Sequence, residues 1–132
     1  MRISTRLHTG PEGAGEARKA LDALARETSH EVLSTVQLLV SELVANGPRH
    51  VDEPEQAVLL EIETSRTSIH TSVIQLGTGR AIRATADEAD RAGWDVILLG
   101  ELSSRWGILE GSSEGVWFEI DRWSESALGR RT

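Results

Sequence analysis

The chain opens on a period of two. Ile3, Thr5 and Leu7 fall on one side of the segment from Arg2 to His8, which predicts a short strand. The period then lengthens. In Thr9-Gly10-Pro11-Glu12, Thr9 can cap, Pro11 fits a first helical turn and Glu12 completes a capping box. Ala17, Ala20, Leu21 and Leu24 follow at helical spacing, so a helix is expected to about Glu27. Thr28-Ser29-His30-Glu31 repeats the start signal, with Thr28 as cap and Glu31 reaching back. Val32, Val36, Leu39, Val40, Leu43 and Val44 give a second helix, which Gly47-Pro48 weakens or ends.

A polar loop from His50 to Gln56 leads into two strands, Ala57 to Thr64 and Ser68 to Leu76, joined by Ser65-Arg66-Thr67. Ile62, Ile69, Val73 and Thr71 supply their inward face. Gly77 to Gly93 is irregular and polar. Trp94 to about Arg105 reads as a third helix with Val96, Leu99 and Leu102 inward. Gly107 to Glu110 and Val116 to Arg122 form a closing hairpin around Gly111-Ser112-Ser113-Glu114-Gly115. The order predicts an α/β (α+β) two-layer sandwich in one domain. Its sheet is mixed and mostly antiparallel, with three main helices on one face.

Composition narrows the chemistry. The 132 residues suit one domain and allow a core without staples. Cysteine is absent, which excludes disulfides, zinc-thiolate sites and thiol catalysis. Fourteen basic against 21 acidic residues give a net charge of -7, which disfavours a sequence-independent nucleic-acid binder. Neither Val96-Ile97-Leu98-Leu99 nor Leu38-Leu39-Val40 approaches the ~20 apolar residues of a membrane span. MRISTRLHTG lacks the apolar stretch of a signal peptide, so a cytoplasmic location is expected.

The second helix carries the most informative anomaly. At about 100° per residue, Asn46 falls within the apolar stripe of Val32, Leu39 and Leu43, with Glu42 at its edge one turn earlier. A polar residue there faces a core or a cavity, and a buried amide needs partners. Glu and Asn at i and i+4 can both reach one cation or water cluster. The same asparagine also suits the end of a helix beside Gly47.

Ser41-Glu42-Leu43-Val44-Ala45-Asn46-Gly47-Pro48-Arg49-His50 resembles the N box of the GHKL (Bergerat-fold) ATPases. It is most similar to the bacterial anti-sigma-factor serine-kinase branch. Gln75-Leu76-Gly77-Thr78-Gly79 sits where that family has D-x-G-x-G, and Gly93-Trp94-Asp95-Val96 where it has G-x-G-L. Leu102-Ser103-Ser104-Arg105-Trp106-Gly107 and Val116-Trp117-Phe118-Glu119-Ile120 resemble the closing helix and strand. The resemblance implies a Bergerat-like fold and Mg²⁺-ATP as cofactor. Asn46 would hold the Mg²⁺ and Glu42 would activate the attacking hydroxyl or water. Arg49 and His50 would lie beside the phosphates or ribose. Gly77 and Gly79 would admit the adenine, Gly93 would open a phosphate-binding helix N-terminus, and residues 80–92 would form a lid. It also implies a protein partner, either a sigma factor or an anti-sigma antagonist, and a homodimer as the common form.

Three positions depart from the pattern. Gln75 replaces the Asp that accepts the adenine amino group; a Gln carbonyl can accept too, but its side chain is one methylene longer and uncharged. A charge-assisted bond lost from a buried site costs about 1.5–3 kcal/mol. Asp95 replaces the second glycine of G-x-G. A carboxylate suits a helix N-terminus, but it takes the place and polarity meant for phosphate. At ~4 Å, like charges repel by about 4 kcal/mol at an effective dielectric of about 20. Gly47-Pro48 interrupts the helix and redirects Arg49 and His50. These departures point to a regulatory protein that binds a partner, with weak or lost ATP binding. The alternative is an active Mg-ATP-dependent serine/threonine kinase acting on an anti-sigma antagonist.

Other signals fall away. Gly111-Ser112-Ser113-Glu114-Gly115 matches G-x-S-x-G, but a strand follows where a nucleophile elbow needs a helix, so Ser113 reads as a turn residue. His8, His30, His50 and His70 have no metal-ligand spacing, and no Walker motif exists. Of the four tryptophans, Trp106 and Trp117 are expected in or near the core, Trp94 over the pocket and Trp123 at an interface or edge.

Overall fold

Five strands and three α-helices account for the residues described in this computed structural model, which are 1–8, 11–46, 57–76, 96–109 and 114–122. The strands are β1 (Arg2–His8), β2 (Ala57–Thr64), β3 (Ser68–Leu76), β4 (Arg105–Ile108) and β5 (Glu114–Asp121). The helices are α1 (Pro11–Leu21), α2 (His30–Asn46) and α3 (Val96–Leu102), with a short 3-10 helix at Asp22–Arg26. The sheet runs β1-β2-β3-β5-β4, and every neighbouring pair is antiparallel. The architecture is compatible with the expected α+β sandwich, and every described strand pair is antiparallel where a mixed, mostly antiparallel sheet is expected. The tight turn Ser65-Arg66-Thr67 makes the β2–β3 pair antiparallel, whereas β1–β2 and β3–β5 are antiparallel although helices lie between them in the chain.

Alternation fixes which side of each strand is buried. Val58, Leu60 and Ile62 on β2 point inward, as do Ile69, Thr71, Val73 and Gln75 on β3 and Val116, Phe118 and Ile120 on β5. They pack against Ala17 and Leu21 of α1, Leu24, the α2 row Leu33, Val36, Leu39, Val40, Leu43 and Val44, and Leu99 of α3. Phe118 is fully buried, and enclosing one such side chain stabilises the fold by about 1.5–3 kcal/mol. Arg122 donates to the carbonyls of Glu27 and Ser65, tying the end of the 3-10 helix to the β2–β3 turn.

Local chemistry moves several expected boundaries. The first helix tightens into 3-10 geometry after Leu21, which still places Leu24 in the core. Ser29, not Thr28, caps α2: its Oγ accepts the Val32 N–H at 3.2 Å and its carbonyl accepts the Leu33 N–H at 2.9 Å. The third helix stops at Leu102, where Ser103 turns its hydroxyl back to the Leu99 carbonyl at 2.6 Å. Arg105 consequently begins a strand instead of ending a helix. Trp117 lies on the face opposite the core, where it stacks on His70, whereas Trp106 packs against the core as expected. No helix among the described residues is long and apolar enough to cross a membrane.

Candidate functional site

Three of the predicted site residues fall on described elements: Glu42 and Asn46 on α2, and Gln75 on β3. Arg49, His50, Gly77, Gly79, Gly93, Asp95, the 80–92 segment, Ser113, Trp94 and Trp123 lie outside the described residues. Asn46 is the last residue of α2, and its side chain is also outside the description.

Gln75 sits near the end of β3, paired with Val58 on β2 and Glu114 on β5. It alternates with Ile69, Thr71 and Val73, so its side chain enters the helix-facing layer, and the residue is 6% exposed. Its Nε2 has no hydrogen-bond partner. Four residues earlier, Thr71 is fully buried with its hydroxyl in the same state. Among the described residues, these are the two buried side-chain polar atoms left unsatisfied. A buried unsatisfied polar group costs about 1–3 kcal/mol. Sequence reasoning placed Thr71 inward but did not anticipate that its hydroxyl would be unpaired.

Glu42 is half-buried on a different flank of α2. It lines a groove of about 260 Å³ between α1 and α2 with Arg18, Ser34, Gln37, Leu38 and Ser41. Polar contacts bind the two helices there. Arg18 donates to Ser41 Oγ at 3.5 Å, Ser41 donates to the Gln37 carbonyl at 2.6 Å, and Gln37 donates to Asp22 at 3.2 Å. This groove does not include Gln75.

A second polar constellation crosses the outer face of the sheet. The register aligns Arg2, Glu63, His70, Glu119 and Arg105 in one row across all five strands. Arg2 meets Glu63 at 3.3 Å, His70 Nδ1 meets Glu119 at 3.0 Å, and Arg105 meets Glu119 at 2.9 Å and Asp121 at 2.6 Å. Hydrogen bonds from Arg105 first, and then from His70, hold the Glu119 carboxyl below its ordinary range. Asp121 first, and then Glu119, raise Arg105. A hollow of about 470 Å³ lies beside this row, lined by Arg2, Ser4, Glu61, Glu63, His70 and Ser72 together with Ile3 and Ile62. Strand alternation carries the signal for this row, since Arg2, Glu63, His70 and Glu119 all occupy outward positions. It becomes readable only once the strand order is known. No group of three or more His, Asp or Glu able to hold a metal ion occurs among the described residues.

The chain matches no protein-family model, and no curated protein matches it significantly.

Proposed function

We propose that this chain is a regulatory binding domain with a Bergerat-like build, acting chiefly by holding a protein partner, with weak or lost ATP binding. The reading rests on the resemblance of the 41–50 segment to the N box, and the observation that carries it is the state of Gln75. A neutral amide occupies a 6%-exposed position, and its unpaired atom is Nε2. The Gln carbonyl can still accept the adenine amino group, but from a side chain one methylene longer and without charge. The charged acceptor of the resembled family is missing. Gln75 offers adenine a neutral acceptor where the resembled family has a charged one, which favours weak over tight nucleotide binding. The partner implied by the resemblance is a sigma factor or an anti-sigma antagonist.

Titration with Mg-ATP, followed by thermal unfolding and tryptophan fluorescence, tests the proposal. A ligand at one hundred times its Kd stabilises the folded state by about 2.7 kcal/mol. No saturable shift is expected at micromolar Mg-ATP. Micromolar binding that is abolished in Asn46→Ala would reject the proposal and restore the serine/threonine kinase, with Glu42 as its candidate base.

A further inference from the structure

Among the described strands, β1 lies at an edge of the sheet. The Thr64 N–H donates to the Met1 carbonyl at 3.0 Å, which sets the phase of the β1–β2 ladder. Bonded and non-bonded pairs alternate in an antiparallel ladder, so Ile3, Thr5 and Leu7 share bonded rows with Ile62, Leu60 and Val58. The N–H and C=O groups of Arg2, Ser4, Arg6 and His8 therefore point away from β2. The contact at His8 agrees with this phase, because its outward N–H is taken by Glu16 Oε1 at 3.0 Å. Glu16 blunts only that end. Arg2, Ser4 and Arg6 keep their outward groups, and no described strand pairs with them.

The side chains define what would fit. Arg2 and Arg6 stand on the outer face at either side of Ser4. Arg6 is exposed, lies opposite Leu59 and has no ion pair among the described residues. Arg2 touches Glu63 at 3.3 Å, but both side chains are mostly exposed, so that pair is weak and can be exchanged. Glu61 lies beside Ser4 and disfavours a third acidic group there. On the inner face Ile3 and Thr5 are only half-buried, leaving apolar surface at the edge. A second copy of β1, paired antiparallel about Ser4, would set arginine against arginine at both ends.

We propose that β1 accepts an added antiparallel strand from a partner protein, an extended segment with acidic residues flanking an uncharged polar one and β-branched residues between. Main-chain hydrogen bonds give such strand addition its affinity, and alternate side chains give it specificity. The acidic residues face Arg2 and Arg6, and the β-branched residues cover Ile3 and Thr5. The inference needs no nucleotide.

The probe is the peptide acetyl-Glu-Val-Thr-Val-Glu-amide, added to the isotope-labelled full chain and followed by amide hydrogen exchange. Saturable binding should slow exchange at Ser4 and Arg6 by about tenfold or more, while Ile3 and Thr5, already bonded to β2, stay unchanged. Arg6→Glu, a surface change, should weaken the acidic peptide about tenfold and favour the version with Lys in place of Glu. The proposal is overturned by no binding at millimolar peptide, or by equal binding of the lysine version to the unaltered chain. Equal binding of a peptide N-methylated at its threonine also overturns it. So does protection of the same amides by self-association without peptide.

Discussion

Glu16 of α1 clasps the end of β1 at His8: its Oε1 accepts the backbone N–H at 3.0 Å, and its Oε2 lies 3.0 Å from the ring Nδ1. One carboxylate thus closes an open backbone donor at the sheet edge and fixes the approach of α1. This is a standard way to blunt an edge strand.

The contact makes stability depend on acid. The His8 N–H first, and its ring second, hold the Glu16 carboxyl below its ordinary range. A carboxyl depressed in the folded state contributes stability that is complete above its unfolded value. That contribution fades as pH falls through the lower folded value. The window therefore lies below about pH 4.5. Urea midpoints measured downward through this window should fall less steeply for Glu16→Gln than for the unaltered chain. Identical slopes would show that the clasp contributes nothing to folding.

Gly13 and Gly15 predict opposite outcomes from the same substitution. A Cβ on Gly13 would lie 1.5 Å from the His8 carbonyl oxygen and 2.9 Å from Val44 Cγ1, and the oxygen is backbone that cannot swing aside. Gly13→Ala should destabilise by about 3 kcal/mol or more, since the β1–α1 junction must part. Gly15 has nothing within 4 Å of its added carbon. Gly15→Ala should stabilise α1 by about 0.5–1 kcal/mol, because alanine loses less backbone entropy in a helix. Denaturant unfolding of the pair checks both signs at once.

Periodicity revealed the layers but not their outer surfaces. β1, β2 and β3 stand where alternation placed them, and α2 follows its apolar row, because buried faces impose a strict period. The ends depended on single side chains competing for backbone groups, as with Ser29 at α2 and Ser103 after α3. Trp117 was misplaced because hydrophobicity alone does not tell which face an aromatic occupies, whereas its neighbours Val116 and Phe118 reveal the parity. Of the candidate site, Gln75 is legible in the sequence only as a departure from the motif that residues 75–79 resemble. Its unpaired amide is not, since pairing depends on neighbours distant in sequence.

Thr71 offers a test of that unpaired state. Its hydroxyl is fully buried between strands bearing Ile62 and Phe118, with no partner. Thr71→Val keeps the shape and removes the unsatisfied group. Stability should rise by about 1 kcal/mol, read as a higher urea midpoint at unchanged slope. Ser41→Ala is the contrasting case, because it deletes a hydroxyl bonded to Gln37 and Arg18 and should lower stability by about 0.5–1.5 kcal/mol. A destabilised Thr71→Val would show that the hydroxyl has a partner in solution.

Gly107 decides where Trp117 can lie. A Cβ at Gly107 would come within 2.6 Å of the indole Nε1 and 2.9 Å of Cε2, so the ring occupies the space above the glycine. The same ring stacks on His70, with centroids 5.5 Å apart and planes 18° apart. Gly107→Ala should push the indole off its seat and break the stack. The cost is about 1–3 kcal/mol, since the half-exposed ring can move where the β4 backbone cannot. The His70 ring protons lose the shielding of the indole and should shift downfield in the NMR spectrum. Trp117→Phe should weaken the shielding yet leave the Gly107 backbone in place. Unshifted His70 resonances in Gly107→Ala would mean that the indole does not rest on the glycine, and would detach the position of Trp117 from β4.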